Sequence, residues 1–200
     1  MEIKEYVTKY NNVINDCEFC DYSELIRGGV YLNNKDAKYL DIIFVGQNPG
    51  KSNFKVNIKH ASDIIPFGVN KESSYNKFFF YLKDMFEKKF DTWINYYITN
   101  IVKCATEDNK ADENLIDRCT KHFLLDELIS LDGIFKRNYV LVTLGKIAKE
   151  TIEANKSIPL KHCFYNLDLP HLTVMGYNNT HRKCAERLME VIEHMYEMIL

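Results

Sequence analysis

Two groups of residues in this chain have the types and spacing to do chemistry: a set of cysteines, and carboxamides beside glycine turns. Cys17 and Cys20 form a Cys-x-x-Cys pair, and Cys104 and Cys119 follow far downstream. Four thiolates from one short loop and one distant loop–helix pair can converge tetrahedrally on an iron–sulfur cluster or a zinc ion, and the spacing does not choose between them. The alternative is unrelated buried cysteines, because cysteine is a common core residue. A thioredoxin-like use of the pair is disfavoured, since that motif follows a strand and opens a helix, whereas this one precedes every strand. Cys163 and Cys184 have no partner at ligand spacing and are read as core or surface thiols.

The carboxamides occur at two places. Gly46-Gln47-Asn48-Pro49-Gly50 can form a tight turn that brings backbone close to a ligand, with the amides of Gln47 and Asn48 facing a reaction centre. It is neither a Walker phosphate loop nor a GxGxxG dinucleotide fingerprint, and an ordinary structural turn is the alternative. Asn100, in Thr99-Asn100-Ile101-Val102-Lys103-Cys104, falls at a strand end where its amide would enter the same crevice; a plain turn role is the alternative.

These residues need elements to position them. Residues 2–14 read as a short helix, 40–46 as a buried strand ending in a glycine turn, and 74–89 as an amphipathic helix. Residues 95–99 read as a second strand. Residues 112–131 read as a helix with Asp112 as N-cap, and 139–145 as a strand followed at once by a helix over 146–154. A last strand is expected at 171–175, before a helix from about Thr180 to the C-terminus. Strands alternating with helices predict an α/β fold with parallel βαβ units and helices on both faces, and ligands then bind beyond the carboxyl ends of the strands. The loops after Val45, Thr99, Leu144 and Met175 are therefore the places to seek chemistry.

Length and composition are those of one globular domain over residues 1–200: 46% hydrophobic, 27% charged, with 26 Lys+Arg against 28 Asp+Glu. This excludes a disordered or collagen-like chain. No apolar run has the length a bilayer requires, and the N-terminus lacks the apolar core of a signal peptide, so an intracellular protein without membrane attachment is expected. A net charge of −2 provides no global attraction to nucleic acid, so such binding needs a local basic face.

Taken together, the motifs resemble the uracil-DNA glycosylase superfamily, most closely its iron–sulfur family 4 branch. The Cys17/Cys20 pair precedes an apolar strand ending in Gly46-Gln47-Asn48-Pro49-Gly50; Ile98 to Cys104 is similar to the family's "YITNVVKC" element; Cys119-Thr120-Lys121-His122-Phe123-Leu124 with Glu127-Leu128 resembles the next; and Leu144-Gly145-Lys146-Ile147-Ala148 matches a later "LG..A". The resemblance implies a three-layer α/β/α sandwich around a short, mainly parallel four-stranded sheet, and a 4Fe-4S cluster on Cys17, Cys20, Cys104 and Cys119, with zinc as the other occupant. Family 4 usually has Gly-Glu-Ala-Pro-Gly in the glycine turn. The Asn48 of this chain instead resembles the mismatch-specific branch, where it positions the attacking water, with Gln47 beside it. Gly46, Pro49 and Gly50 would shape the base pocket, Asn100 would read the Watson–Crick edge of an extruded base, and Phe67 would stack on it. Where the family places His-Pro-Ser, this chain has Gly176-Tyr177-Asn178-Asn179-Thr180-His181-Arg182. Asn178 stands at the expected histidine position, and either it or His181 would donate toward the leaving base.

Cleaving an N-glycosidic bond builds positive charge on the sugar and negative charge on the base, so the base needs donors and the sugar needs an oriented water. The base must also leave the helical stack, a cost offset by stacking and pocket hydrogen bonds. Lys51, Thr180, Arg182 and Lys183 lie beside these motifs and would bind flanking phosphates. The resemblance thus implies a monofunctional, monomeric DNA glycosylase acting on DNA with uracil or another modified or damaged pyrimidine. Because an Asn carboxamide can rotate to suit a cytosine edge, a glycosylase for a hypermodified cytosine, as in defence against viral DNA, also fits. A catalytically idle iron–sulfur nucleic-acid-binding module and a zinc-stapled protein acting on a small nucleoside are the remaining alternatives.

Overall fold

The computed structural model describes residues 3–18, 28–49, 76–106, 111–172 and 179–198. Five strands, β1 (Tyr31–Leu32), β2 (Ile42–Gly46), β3 (Tyr96–Asn100), β4 (Tyr139–Leu144) and β5 (Cys163–Leu169), form one sheet in the order β1-β3-β2-β4-β5. The four longer strands run parallel, and β1 pairs antiparallel with β3 at the edge.

Alternation along the strands builds two cores. Ile43, Val45, Tyr97, Tyr139 and Leu141 face one way, against α1 (Ile3–Asn15), α3 (Glu113–Cys119), α4 (Leu125–Ile134) and α5 (Lys146–Ala154). Ile42, Phe44, Ile98, Val140 and Val142 face the other way, against α2 (Asn76–Phe90) and α6 (Thr180–Glu197). Every residue of β2, β3 and β4 is buried, as expected of parallel strands covered on both faces. The result is the expected α/β sandwich, with five strands rather than four; a two-residue edge strand is too short to leave an alternation signal.

Two further elements differ from the expected set. A strand the sequence reading did not expect is β5, Cys163–Leu169; of the strand expected at 171–175, residues 173–175 lie outside the described residues. In β5, Tyr165 and Asn166 are exposed, and Asp168 accepts from Thr143 Oγ1 and pairs with Lys149 at 3.1 Å. An edge strand with polar contacts of this kind lacks the apolar run of a central one. The helix read over 112–131 is α3 and α4 joined by a π-helical turn, Thr120–Leu124. Asp112 does cap it, accepting from the Leu115 amide at 2.7 Å. At the π turn, Thr120 Oγ1 donates to the Ile116 carbonyl at 2.7 Å and so competes with the helical ladder.

Phe78 is fully buried, packed edge-on against Phe44 at 5.9 Å and Phe79 at 5.2 Å between ring centroids. Phe78→Ala is expected to cost about 3–5 kcal/mol by transfer and cavity terms. Urea unfolding measures it, and a loss below about 1 kcal/mol would show that this core layer is not closely packed.

Candidate functional site

The carboxyl edge of the sheet is assembled by β2 and β3. Their register sets Gly46 opposite Asn100, and the ladder continues past the strand ends: the Ile101 amide donates to Gly46 O and the Val102 amide to Gln47 O, both at 2.9 Å. Gly46 and Pro49 are buried, while Gln47 and Asn48 are half-buried between them. Asn48 Nδ2 donates to Thr106 Oγ1 at 3.2 Å and to Pro49 O at 3.4 Å, which ties the turn after β2 to the loop after β3. That arrangement uses the amide hydrogens of Asn48 and leaves its Oδ1 as an acceptor.

Asn100 is 2% exposed, and its Oδ1 is buried without a hydrogen-bond partner among the described residues. Leaving a buried acceptor unpaired costs roughly 1–3 kcal/mol, so such an atom at a strand end calls for an explanation, and a ligand donor is one. His181 repeats the pattern: it is buried in the first turn of α6, and neither ring nitrogen has a partner among the described residues. Because α6 follows β5, a strand parallel to β4, its N-terminus returns from the same edge of the sheet. Burial, and secondarily the Lys77 ammonium at the start of α2, lower the His181 pKa and keep the ring neutral, so it can donate one N–H.

Behind Asn100 lies a buried ion pair. Lys103 Nζ donates to Glu127 Oε2 at 2.6 Å, with both side chains essentially inaccessible. The same ammonium donates to Thr99 Oγ1 at 2.6 Å and to the Asn100 carbonyl at 2.7 Å. Glu127 also accepts from Tyr97 OH at 2.7 Å and from Tyr10 OH at 3.2 Å. Desolvation, with the Glu127 charge adding to it, raises the pKa of both phenols and keeps them protonated donors.

Of the cysteines expected as ligands, those described occupy the opposite layer from α6. Cys104 and Cys119 are buried within the cluster under α1 and α3, and Cys17, just past α1, packs against it. Three of the expected ligands thus belong to one apolar cluster. Among the described residues, no group of three or more His, Cys, Asp or Glu is arranged to hold a metal ion, and the fourth expected ligand, Cys20, lies outside them. Gly50, Lys51, Phe67 and Asn178 also lie outside the described residues.

Of the residues expected on phosphates, Arg182 and Lys183 are exposed, and Thr180 is half-buried in the first turn of α6. Arg182 Nε is already paired with Glu186 at 3.0 Å on its own helix, which reduces the positive charge available to DNA. A cavity of about 570 Å³ opens against Tyr31, Asn33, Asn34, Phe79, Trp93 and Tyr96, and neither Asn48 nor Asn100 lines it. It is not the place where the chemistry collects.

Thr106, Lys103, Glu127 and Lys77 are the participants the sequence reading missed. Two carried a signal: Lys103 is a lone charge in Ile101-Val102-Lys103-Cys104, and Glu127 interrupts the apolar stripe of Phe123, Leu124, Leu128 and Leu131.

A parallel-centred α/β/α sandwich with carboxamides at the carboxyl edge of its sheet defines the class of protein. Residues 33–189 match the family model for the uracil DNA glycosylase superfamily, and the chain belongs to that superfamily of DNA glycosylases. Among solved structures, "The crystal structure of WT Pedobacter heparinus SMUG2" is similar at 12% identity and a TM-score of 0.49, covering 96% of this chain and 97% of that one. No curated protein matches the chain.

The lowered pKa of His181 has a thermodynamic consequence. Its folded form favours the neutral ring, so its contribution to stability is complete above the unfolded value of about 6.5 and is lost as the pH falls below it. His171, whose pKa burial also lowers, adds in the same direction. Urea midpoints measured from about pH 7.5 to about pH 5 should fall more steeply for the wild type than for His181→Asn. Parallel curves would mean that His181 is solvated.

Proposed function

We propose that this protein is a monofunctional DNA glycosylase that hydrolyses the N-glycosidic bond of an extruded uracil or another altered pyrimidine, leaving an abasic site. What supports this reading, beyond the family, is the buried carboxamide of Asn100, with an unpaired acceptor, set in register beside the turn that carries Asn48.

The chemistry follows from which atoms are spoken for. Asn100 Oδ1 accepts from the N3–H of the base while its amide donates to O4, which holds the ring in the plane needed for departure. Asn48, its amide engaged by Thr106 and Pro49, uses Oδ1 to accept a hydrogen from a water and so aims the oxygen lone pair at the anomeric carbon. Little deprotonation is required, because the bond to the base is already breaking and the sugar is becoming cationic as the water arrives. The electron pair leaves with the base, and a neutral His181 or Asn178 donates a hydrogen bond to its carbonyl. Burial of His181 keeps that donor out of competition with water. Phe67 supplies the stack, and Lys51, Thr180, Arg182 and Lys183 contact flanking phosphates.

The branch of the superfamily belongs to the same proposal. Cys17, Cys20, Cys104 and Cys119 would hold a four-iron cluster, which supplies a structural staple and no step of the hydrolysis. Two of them continue elements that also carry site residues: Cys104 follows Lys103 on the loop after β3, and Cys119 ends α3 two turns ahead of Glu127.

The test is an oligonucleotide panel carrying uracil, hypoxanthine and modified cytosines, scored by alkaline strand cleavage. Abasic sites at an altered pyrimidine are expected; tight binding with no base release from any member would contradict the reading. Asn48→Ala should lower single-turnover release by about 100-fold or more, the scale of one lost positioning contact, with oligonucleotide affinity nearly unchanged. Equal loss of both would make Asn48 structural. Iron and acid-labile sulfide should co-purify with the chain, and Cys104→Ser should lose them; full iron content in that variant would remove Cys104 from the ligand set.

A further inference from the structure

The buried Lys103–Glu127 pair does more than fill the core. The peptide plane between Asn100 and Ile101 is held at both ends: its carbonyl accepts from Lys103 Nζ at 2.7 Å, and its N–H donates to Gly46 O at 2.9 Å. That plane fixes the backbone at the α-carbon carrying the Asn100 carboxamide. The ammonium spends its three hydrogens on Thr99 Oγ1, Asn100 O and Glu127 Oε2, so it has one orientation. Glu127 is fixed in turn by the hydroxyls of Tyr97, on β3, and Tyr10, on α1. The Tyr10 hydroxyl is within 3.0 Å of the Phe123 carbonyl, in the π turn.

We propose that Lys103, locked by Glu127, is a positioning residue for base recognition: it sets the orientation of the Asn100 carboxamide before a base arrives. This inference rests on the glycosylase reading of the site. An apolar pair of similar volume would stabilise a core at least as well as a buried ion pair does. What it cannot do is grip the Asn100 carbonyl. With its peptide plane held only through the Ile101 N–H, the Asn100 carboxamide loses part of the alignment on which an oriented, partly broken glycosidic bond depends.

The experiment uses the whole chain with Lys103→Met and Glu127→Gln combined, so that no unpaired charge is buried and the two tyrosines keep an acceptor. Amide hydrogen exchange of Ile101 and Val102, thermal unfolding, affinity for a uracil-containing oligonucleotide, and single-turnover uracil release are measured together. The expected result is a cooperatively folded protein in which those two amides exchange about tenfold faster while the amides of β4 are unchanged. Release should fall by about 100-fold with affinity within about threefold. A folded variant with wild-type exchange, or with faster exchange and unaltered release, overturns the proposal. If the wild type itself releases no base from any oligonucleotide, it is the glycosylase reading that fails; the exchange arm still decides the tether, which unchanged exchange refutes and faster exchange supports. Should the double variant not fold, Thr99→Val removes one of the three acceptors without exposing a charge, and wild-type exchange and release in it would equally overturn the proposal.

Discussion

The register between β2 and β3 is the constraint on which the rest of the molecule depends. Both strands are buried on both faces, so successive residues serve opposite cores: Ile43 and Val45 one, Ile42 and Phe44 the other. Slipping one strand by a single residue would send each of its side chains into the wrong layer, so the pairing is strongly specified. The same register makes Gly46 and Asn100 neighbours at the carboxyl edge. The site is therefore a by-product of how the core closes, and its two carboxamides come together without any dedicated contact between them.

What the register does not supply is orientation, and polar groups on the loop after β3 supply it. Thr106 takes the amide of Asn48, and Lys103 takes the carbonyl of Asn100. Lys103 is in turn balanced by Glu127, which two phenols from different elements hold in place. All three ammonium hydrogens of Lys103 have acceptors, as a buried charge requires. Among the described residues, the buried side-chain atoms without a partner are Asn100 Oδ1 and the two ring nitrogens of His181, at the carboxyl edge, and the Tyr6 hydroxyl in the core under α1. The Lys103–Glu127 pair is thus fully engaged, while the carboxamide and the imidazole at the carboxyl edge keep open valence.

Much of this was legible in the sequence, for reasons that can be named. Leu40 to Gly46 and Tyr139 to Gly145 are apolar runs closed by glycine, and central parallel strands leave that mark. β5 left no such mark, because Tyr165, Asn166 and Asp168 face solvent or polar partners. The π turn was invisible because one extra residue per turn does not disturb an apolar stripe as broad as that of α3 and α4. Asn48 and Asn100 could be placed at one edge from strand ends alone. Lys103 and Glu127 are adjacent only through the crossing of two elements 24 residues apart, and that contact has no local signature. The pairing of Arg182 with Glu186 was equally unread, though an i, i+4 spacing announces it.

The central claim is that two carboxamides, one aligned on a base and one on a water, break a glycosidic bond. It is tested most directly by a crystal structure of the protein with an oligonucleotide bearing a non-hydrolysable analogue of its preferred nucleotide. The account predicts an extruded base whose Watson–Crick edge meets the Asn100 carboxamide, with a water held by Asn48 on the opposite side of the sugar. A base left in the stack, or seated away from the carboxyl edge of β2 and β3, would contradict it.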